Sequence, residues 1–155
     1  MSHVADQAAE LFSQGFNCAQ AVLASFVERM GRGCCIERSA AFHVAQGFGG
    51  GMGRTGQTCG AITGAIMAIG LTHGMTDPAR PAQRDIAYRL VGELFARFKQ
   101  RHGSIGCHEL IGLDLSTPAG LAEFRAKGLA ASHCRMFVHD AADILDQLLA
   151  ESATP

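Results

Sequence analysis

Apolar residues recur along this chain three and four positions apart, and no run alternates β-branched with polar residues, so the pattern predicts helices almost throughout. Val4 to Gln14 puts Val4, Ala8, Leu11 and Phe12 on one face and stops at Gly15. Asn17-Cys18-Ala19-Gln20 then reads as a capping box, followed by a stripe of Val22, Phe26 and Met30 with Leu23 and Val27 alongside, ending at Gly31. A shorter helix over Ile36 to Gln46 carries Ile36, Ala40 and Val44. From Cys59 to about Leu71, capped by Thr58, the chain is apolar nearly all round and should form the central buried helix. Gly60 and Gly64 would let a neighbouring helix approach it closely. Ala82 to about Arg101 turns Ile86, Leu90, Leu94, Phe95 and Phe98 inward and arginines outward. Ser104 to Ile111 gives one or two turns, and Thr117-Pro118 starts a helix that Gly128 breaks. Ser132 caps the last helix, with Phe137, Ala141, Ile144, Leu145 and Leu148 inward. The expected architecture is all-α, a compact bundle of six or seven helices forming one domain over residues 1–155.

One stretch breaks the helical pattern. Of 19 glycines, eight fall between Gly47 and Gly64, and each lowers helix propensity by about 1 kcal/mol. Gly47 to Gly56 is therefore a loop ahead of the central helix. It contains a literal Gly-x-Gly-x-x-Gly at Gly51, Gly53 and Gly56, but a helix precedes it, and Asp77 lies in a turn. A dinucleotide fold needs a strand before the glycines and an acid at a later strand end, so that reading fails.

Charge and composition narrow the partners. With formal net charge −1, no tryptophan and one tyrosine, the chain has neither the basic field nor the stacking surface that nucleic acid requires. Its longest apolar stretch, roughly Gly60 to Leu71, is too short to span a bilayer. Met1 to Asp6 lacks the charged and apolar regions of a secretory signal, so a cytoplasmic protein is expected. In a reducing compartment six cysteines point to metal or thiol chemistry rather than to a disulfide framework. So apolar a chain is compatible with a homodimer, though no residue pattern locates an interface.

Cys18, Cys59, Cys107 and Cys134 each stand at or beside a predicted helix start, 41, 48 and 27 residues apart. Unpaired N–H groups and the helix dipole there favour thiolate, the form that binds metals and attacks electrophiles. The spacing is unlike the Cys-x-x-Cys knuckles of zinc ribbons or the close runs of ferredoxins. A buried cysteine is also an ordinary small hydrophobe. What favours a site is the glycine loop: backbone without Cβ can approach an anion, so Gly51, Gly53, Gly56 and Gly60 are candidate cofactor-binding residues around a four-thiolate metal site. Arg54 could add compensating charge, and Phe16, Phe48 and Ile62 would bury the centre. His108 and His133 adjoin two of the cysteines and read as solvated or outer groups. Adjacent Cys34 and Cys35 point apart and make poor joint ligands.

Phe16-Asn17-Cys18-Ala19-Gln20-Ala21-Val22-Leu23, the run from Phe48 through Cys59-Gly60-Ala61-Ile62-Thr63-Gly64-Ala65, the segment Gly103 to Gly112, and Cys134 with Val138, Ala141 and Ala142 resemble the C-GCAxxG-C-C family of redox-active proteins. The chain reads Cys-Gly-Ala-x-x-Gly, with cysteine before glycine. The resemblance implies a small, mostly helical prokaryotic protein whose functional residues are Cys18, Cys59, Cys107 and Cys134, with Cys34 and Cys35 outside the pattern. Combined with the residue chemistry, it gives a leading expectation of an electron-transfer or redox-sensing protein with a [2Fe–2S] or [4Fe–4S] iron–sulfur cluster on those four thiolates, serving an unidentified redox partner protein. Two alternatives remain: thiol–disulfide chemistry at a pair such as Cys59 with Cys18, and a structural four-cysteine zinc site.

Overall fold

The computed structural model describes residues 2–153; Met1, Thr154 and Pro155, which the sequence reading placed in its single domain, lie outside the described residues. The all-α expectation holds. Among the described residues eight helices run in order: α1 (His3–Ser13), α2 (Cys18–Met30), α3 (Arg38–Ala45), α4 (Gly60–His73), α5 (Ala82–His102), α6 (Cys107–Ile111), α7 (Pro118–Ala126) and α8 (Arg135–Ser152). Among the described residues no strand forms, and the only extended pairing is an isolated antiparallel bridge between Thr58 and Gly106.

Helix α2 is the hub. It packs against α1, α3, α4 and α8, while α4 also meets α5 and α8. The capping box forms as read: the Asn17 side chain accepts from the Gln20 amide at 3.0 Å, and the Gln20 side chain accepts from the Asn17 amide at 3.0 Å. The α2–α4 contact depends on missing side chains. A Cβ on Gly64 would stand 2.7 Å from the Ala19 carbonyl oxygen, and one on Gly60 would stand 3.0 Å from the Cys18 Cβ. The close approach inferred from these two glycines is therefore real, and it sets Cys18 beside the start of α4.

Several local expectations are corrected. Thr58 does not cap α4; its backbone pairs with Gly106, and Cys59 holds the N-cap position. Ser132 does not cap α8 either, because a π turn over Ala130–Cys134 runs directly into the helix and Ser132 bonds back to the Gly128 carbonyl. The stripe on α3 is rotated: Ala41 and Ala45 are buried, while Val44 is exposed. Phe42 on this helix stacks on Phe16, with ring centroids 4.0 Å apart, so the aromatic pair chose the buried face. On α5, Leu90, Leu94 and Phe98 are buried as expected, but Ile86 is exposed.

No helix among the described residues is long and apolar enough to cross a membrane.

Candidate functional site

The glycine segment is irregular, as its composition demands. Gly50, Gly51 and Gly53 all take left-handed φ values, and so do two residues with side chains, Met52 and Arg54. Hydrogen bonds hold this shape: the Arg54 amide donates to the Gly49 carbonyl at 3.1 Å, and the Thr55 hydroxyl donates to Gly51 at 3.0 Å. Gly51 is the tightest point. A Cβ there would stand 2.6 Å from both the Cys107 Cβ and the Gln57 carbonyl oxygen.

Beyond the loop, the bridge positions two cysteines together. Thr58 immediately precedes Cys59 and Gly106 immediately precedes Cys107, so one pairing fixes both. The Cys59 amide donates to the Ile105 carbonyl and the Cys107 amide to the Gln57 carbonyl, each at 2.7 Å. Cys18 arrives as the first residue of α2, and Cys134 as the last residue of the π turn.

All four thiols line one cavity of about 460 Å³. Cys59, Cys107 and Cys134 are 4%, 7% and 8% exposed, and all six cysteines of the chain are free. Of the cavity thiols, Cys18 and Cys134 influence each other's ionisation most directly. Of the candidate glycines, Gly51, Gly53 and Gly60 line the cavity, but Gly56 sits behind it against His108. Phe16, Phe48 and Ile62 do not line it; Phe12, Phe124 and Phe137 do. Those three aromatics come from α1, α7 and α8, whose convergence no local pattern announces. His108 bonds to the Leu113 carbonyl and His133 to Ser132, both outside the cavity. Cys34 and Cys35 line a separate surface depression.

The thiols are less ionised than helix starts suggest. Burial pushes Cys59 up to about 12, with the charge of Cys107 adding to the effect, although the Ala61 and Ile62 amides donate to its sulfur and oppose the rise. Burial, with the charge of Cys134, takes Cys107 up to about 11. In the contacting pair, Cys18 is raised well above an ordinary thiol by its bond to Cys134, then by burial. Cys134 is lowered because that bond stabilises its thiolate. Desolvation of an anion outweighs one or two amide dipoles here. Cys134 gains nothing from a helix start, since helical backbone runs through it from Leu129.

Among the described residues, no group of three or more His, Cys, Asp or Glu side chains is disposed to hold a metal ion. The chemistry of the donors, four thiols on one cavity wall, is that of sulfur-bound metal centres. A single tetrahedral ion needs sulfurs within about 4 Å of one another, whereas a multi-iron core separates them.

Comparison with curated proteins and with solved structures gave no match. A protein-family model, C_GCAxxG_C_C, described as "Putative redox-active protein", matches residues 16–148 and so takes in all four cavity cysteines. The chain belongs to the C_GCAxxG_C_C family.

Proposed function

We propose that the protein carries electrons through an iron–sulfur cluster held by Cys18, Cys59, Cys107 and Cys134. The observation behind this is that four thiols from four separate segments line one cavity. Such a cluster supplies one-electron exchange at a potential set by its surroundings. The chain's own residues would do the tuning. Ala61 and Ile62 donate N–H to the Cys59 sulfur, which favours its thiolate. Phe12 and Phe137 keep water from part of the wall. The high thiol pKa values mean that ligation would displace protons, so loading should be favoured at higher pH. Anaerobic reconstitution of the reduced chain with iron and sulfide tests the reading. Expected are visible cluster absorption and two or four irons per chain with matching sulfide. Reduced thiols that take up neither would overturn it.

The Cys18–Cys134 contact favours a second reading, thiol–disulfide exchange. The Cys134 thiolate would attack a sulfur of a partner disulfide, releasing one partner thiolate. Cys18 would then lose its proton and displace the second, leaving a Cys18–Cys134 bond and two partner thiols. Peptide mapping after incubation with a low-molecular disulfide checks this. A chain two hydrogens lighter, cross-linked at these positions, supports it; random pairing or stable mixed disulfides would refute it.

A further inference from the structure

The same cavity has a second chemical character that thiols do not account for. Arg54 and Arg125 both stand in its wall, and no aspartate or glutamate does. Among the described residues neither guanidinium has an ion pair or a side-chain hydrogen bond, whereas Arg97 and Arg101 are matched to carboxylates on α8. Arg54 also occupies a costly position. Its φ of +71° is left-handed, where glycine would sit without strain. Four of the six residues from Gly49 to Arg54 are glycine, and Met52 and Arg54 keep side chains in the same left-handed conformation. Leu121 and Phe124, on the same helix as Arg125, make that part of the wall apolar. A volume of about 460 Å³ is in the range of small-molecule sites.

Two cations without a counter-ion, in a partly apolar cavity, define a complementary guest. We propose that this cavity binds a small organic anion, its carboxylate or other oxyanion head held by Arg54 and Arg125 and its apolar body against Leu121 and Phe124. The planar guanidinium fork suits such a head, and both arginines are solvent-exposed residues. The proposal rests on the redox reading only for what the bound anion would undergo; binding itself rests on the cavity.

The test is calorimetric titration of the full reduced chain with benzoate, benzenesulfonate and the neutral benzamide. Expected is saturable binding of at least one anion at one site per chain, with benzamide at least about tenfold weaker. Arg54→Gly and Arg125→Gln should each weaken anion binding about tenfold and leave benzamide unchanged. Arg54→Gly suits this purpose because glycine fits the backbone, and helical circular dichroism confirms the fold of both variants. Equal affinity for acid and amide, or no saturation by about 10 mM, would overturn the proposal, as would anion binding indifferent to both substitutions. Cluster reconstitution is a separate measurement. A chain that loads iron but ignores both anions sinks only this inference, and one that binds an anion but never loads iron sinks only the cluster.

Discussion

A methyl group at Gly51 would have nowhere to go. It would meet the Cys107 Cβ and the Gln57 carbonyl oxygen at 2.6 Å, on a backbone with φ of +65° that disfavours any side chain. Overpacking and left-handed strain together should cost Gly51→Ala about 3 kcal/mol. For a chain of this length that lowers the melting temperature by about 10 °C, which thermal unfolding followed by circular dichroism would register. Single residues also set the pH behaviour of the metal-free protein. Cys59 and Cys107 ionise in the folded chain only at about 12 and about 11, against 9.0 for an ordinary thiol. The unfolded chain therefore releases these protons first as pH rises. Their contribution to stability is complete below about pH 9 and is lost between there and about pH 12. Reaction with iodoacetamide should follow the same order: Cys134 reacts first within the cavity, because its thiolate is stabilised by Cys18. Cys107 and then Cys59 follow as the pH is raised, and peptide mapping at successive pH values would show whether that order holds.

At the level of elements, what was legible in the chain is what local chemistry decides. Asn17 and Gln20 announce the start of α2 because their side chains satisfy amides three residues away, and the bonds form as read. Asn17 does more than cap. Its side-chain amide donates to the Gln46 carbonyl at 3.0 Å, and Gly49 leaves space that only a missing Cβ allows, 2.8 Å from the Asn17 Cβ. Asn17→Ala should therefore cost about 2 kcal/mol, the upper end for a cap, in urea unfolding, and it should loosen Cys18 next to it. The stripes of α2 and α8 were equally plain, since Val22, Leu23, Ile144 and Leu145 are buried as their spacing demands. Thr58 and Ser132 misled because a good capping residue acts as a cap only where no other partner takes its backbone. A bridge to Gly106 claimed Thr58, and helical backbone ahead of Ser132 left no free helix end to cap. The π turn there has no sequence signature. It nevertheless delivers Cys134 to the cavity.

For the whole molecule, Cys18, Cys59, Cys107 and Cys134 were singled out as standing at helix starts, which Cys134 does not, and their meeting in one cavity could not be derived from gaps of 41, 48 and 27 residues. That meeting depends on the Thr58–Gly106 bridge, the glycine-mediated approach of α2 to α4, and the packing of α8 on α1 and α2. The wall aromatics Phe12, Phe124 and Phe137 were invisible for the same reason, being brought together by tertiary packing. This dependence gives the cluster hypothesis a consequence for stability. A centre bound by segments from α2, α4, α6 and the π turn would tie together parts of the chain that are far apart in sequence, and would bind the folded state alone. At a ligand excess of a few hundred times the dissociation constant, it should add about 3 kcal/mol, or about 10 °C in melting temperature. Replacing any one of Cys18, Cys59, Cys107 or Cys134 by alanine should abolish most of that gain, while the metal-free variants still fold around the apolar core. Cys34→Ser and Cys35→Ser, in the separate depression, should retain the whole gain. Differential calorimetry before and after reconstitution separates the outcomes. If all six substitutions behaved alike, the cavity thiols would have no special claim on iron; a loss confined to Cys18 and Cys134 would favour the thiol pair instead.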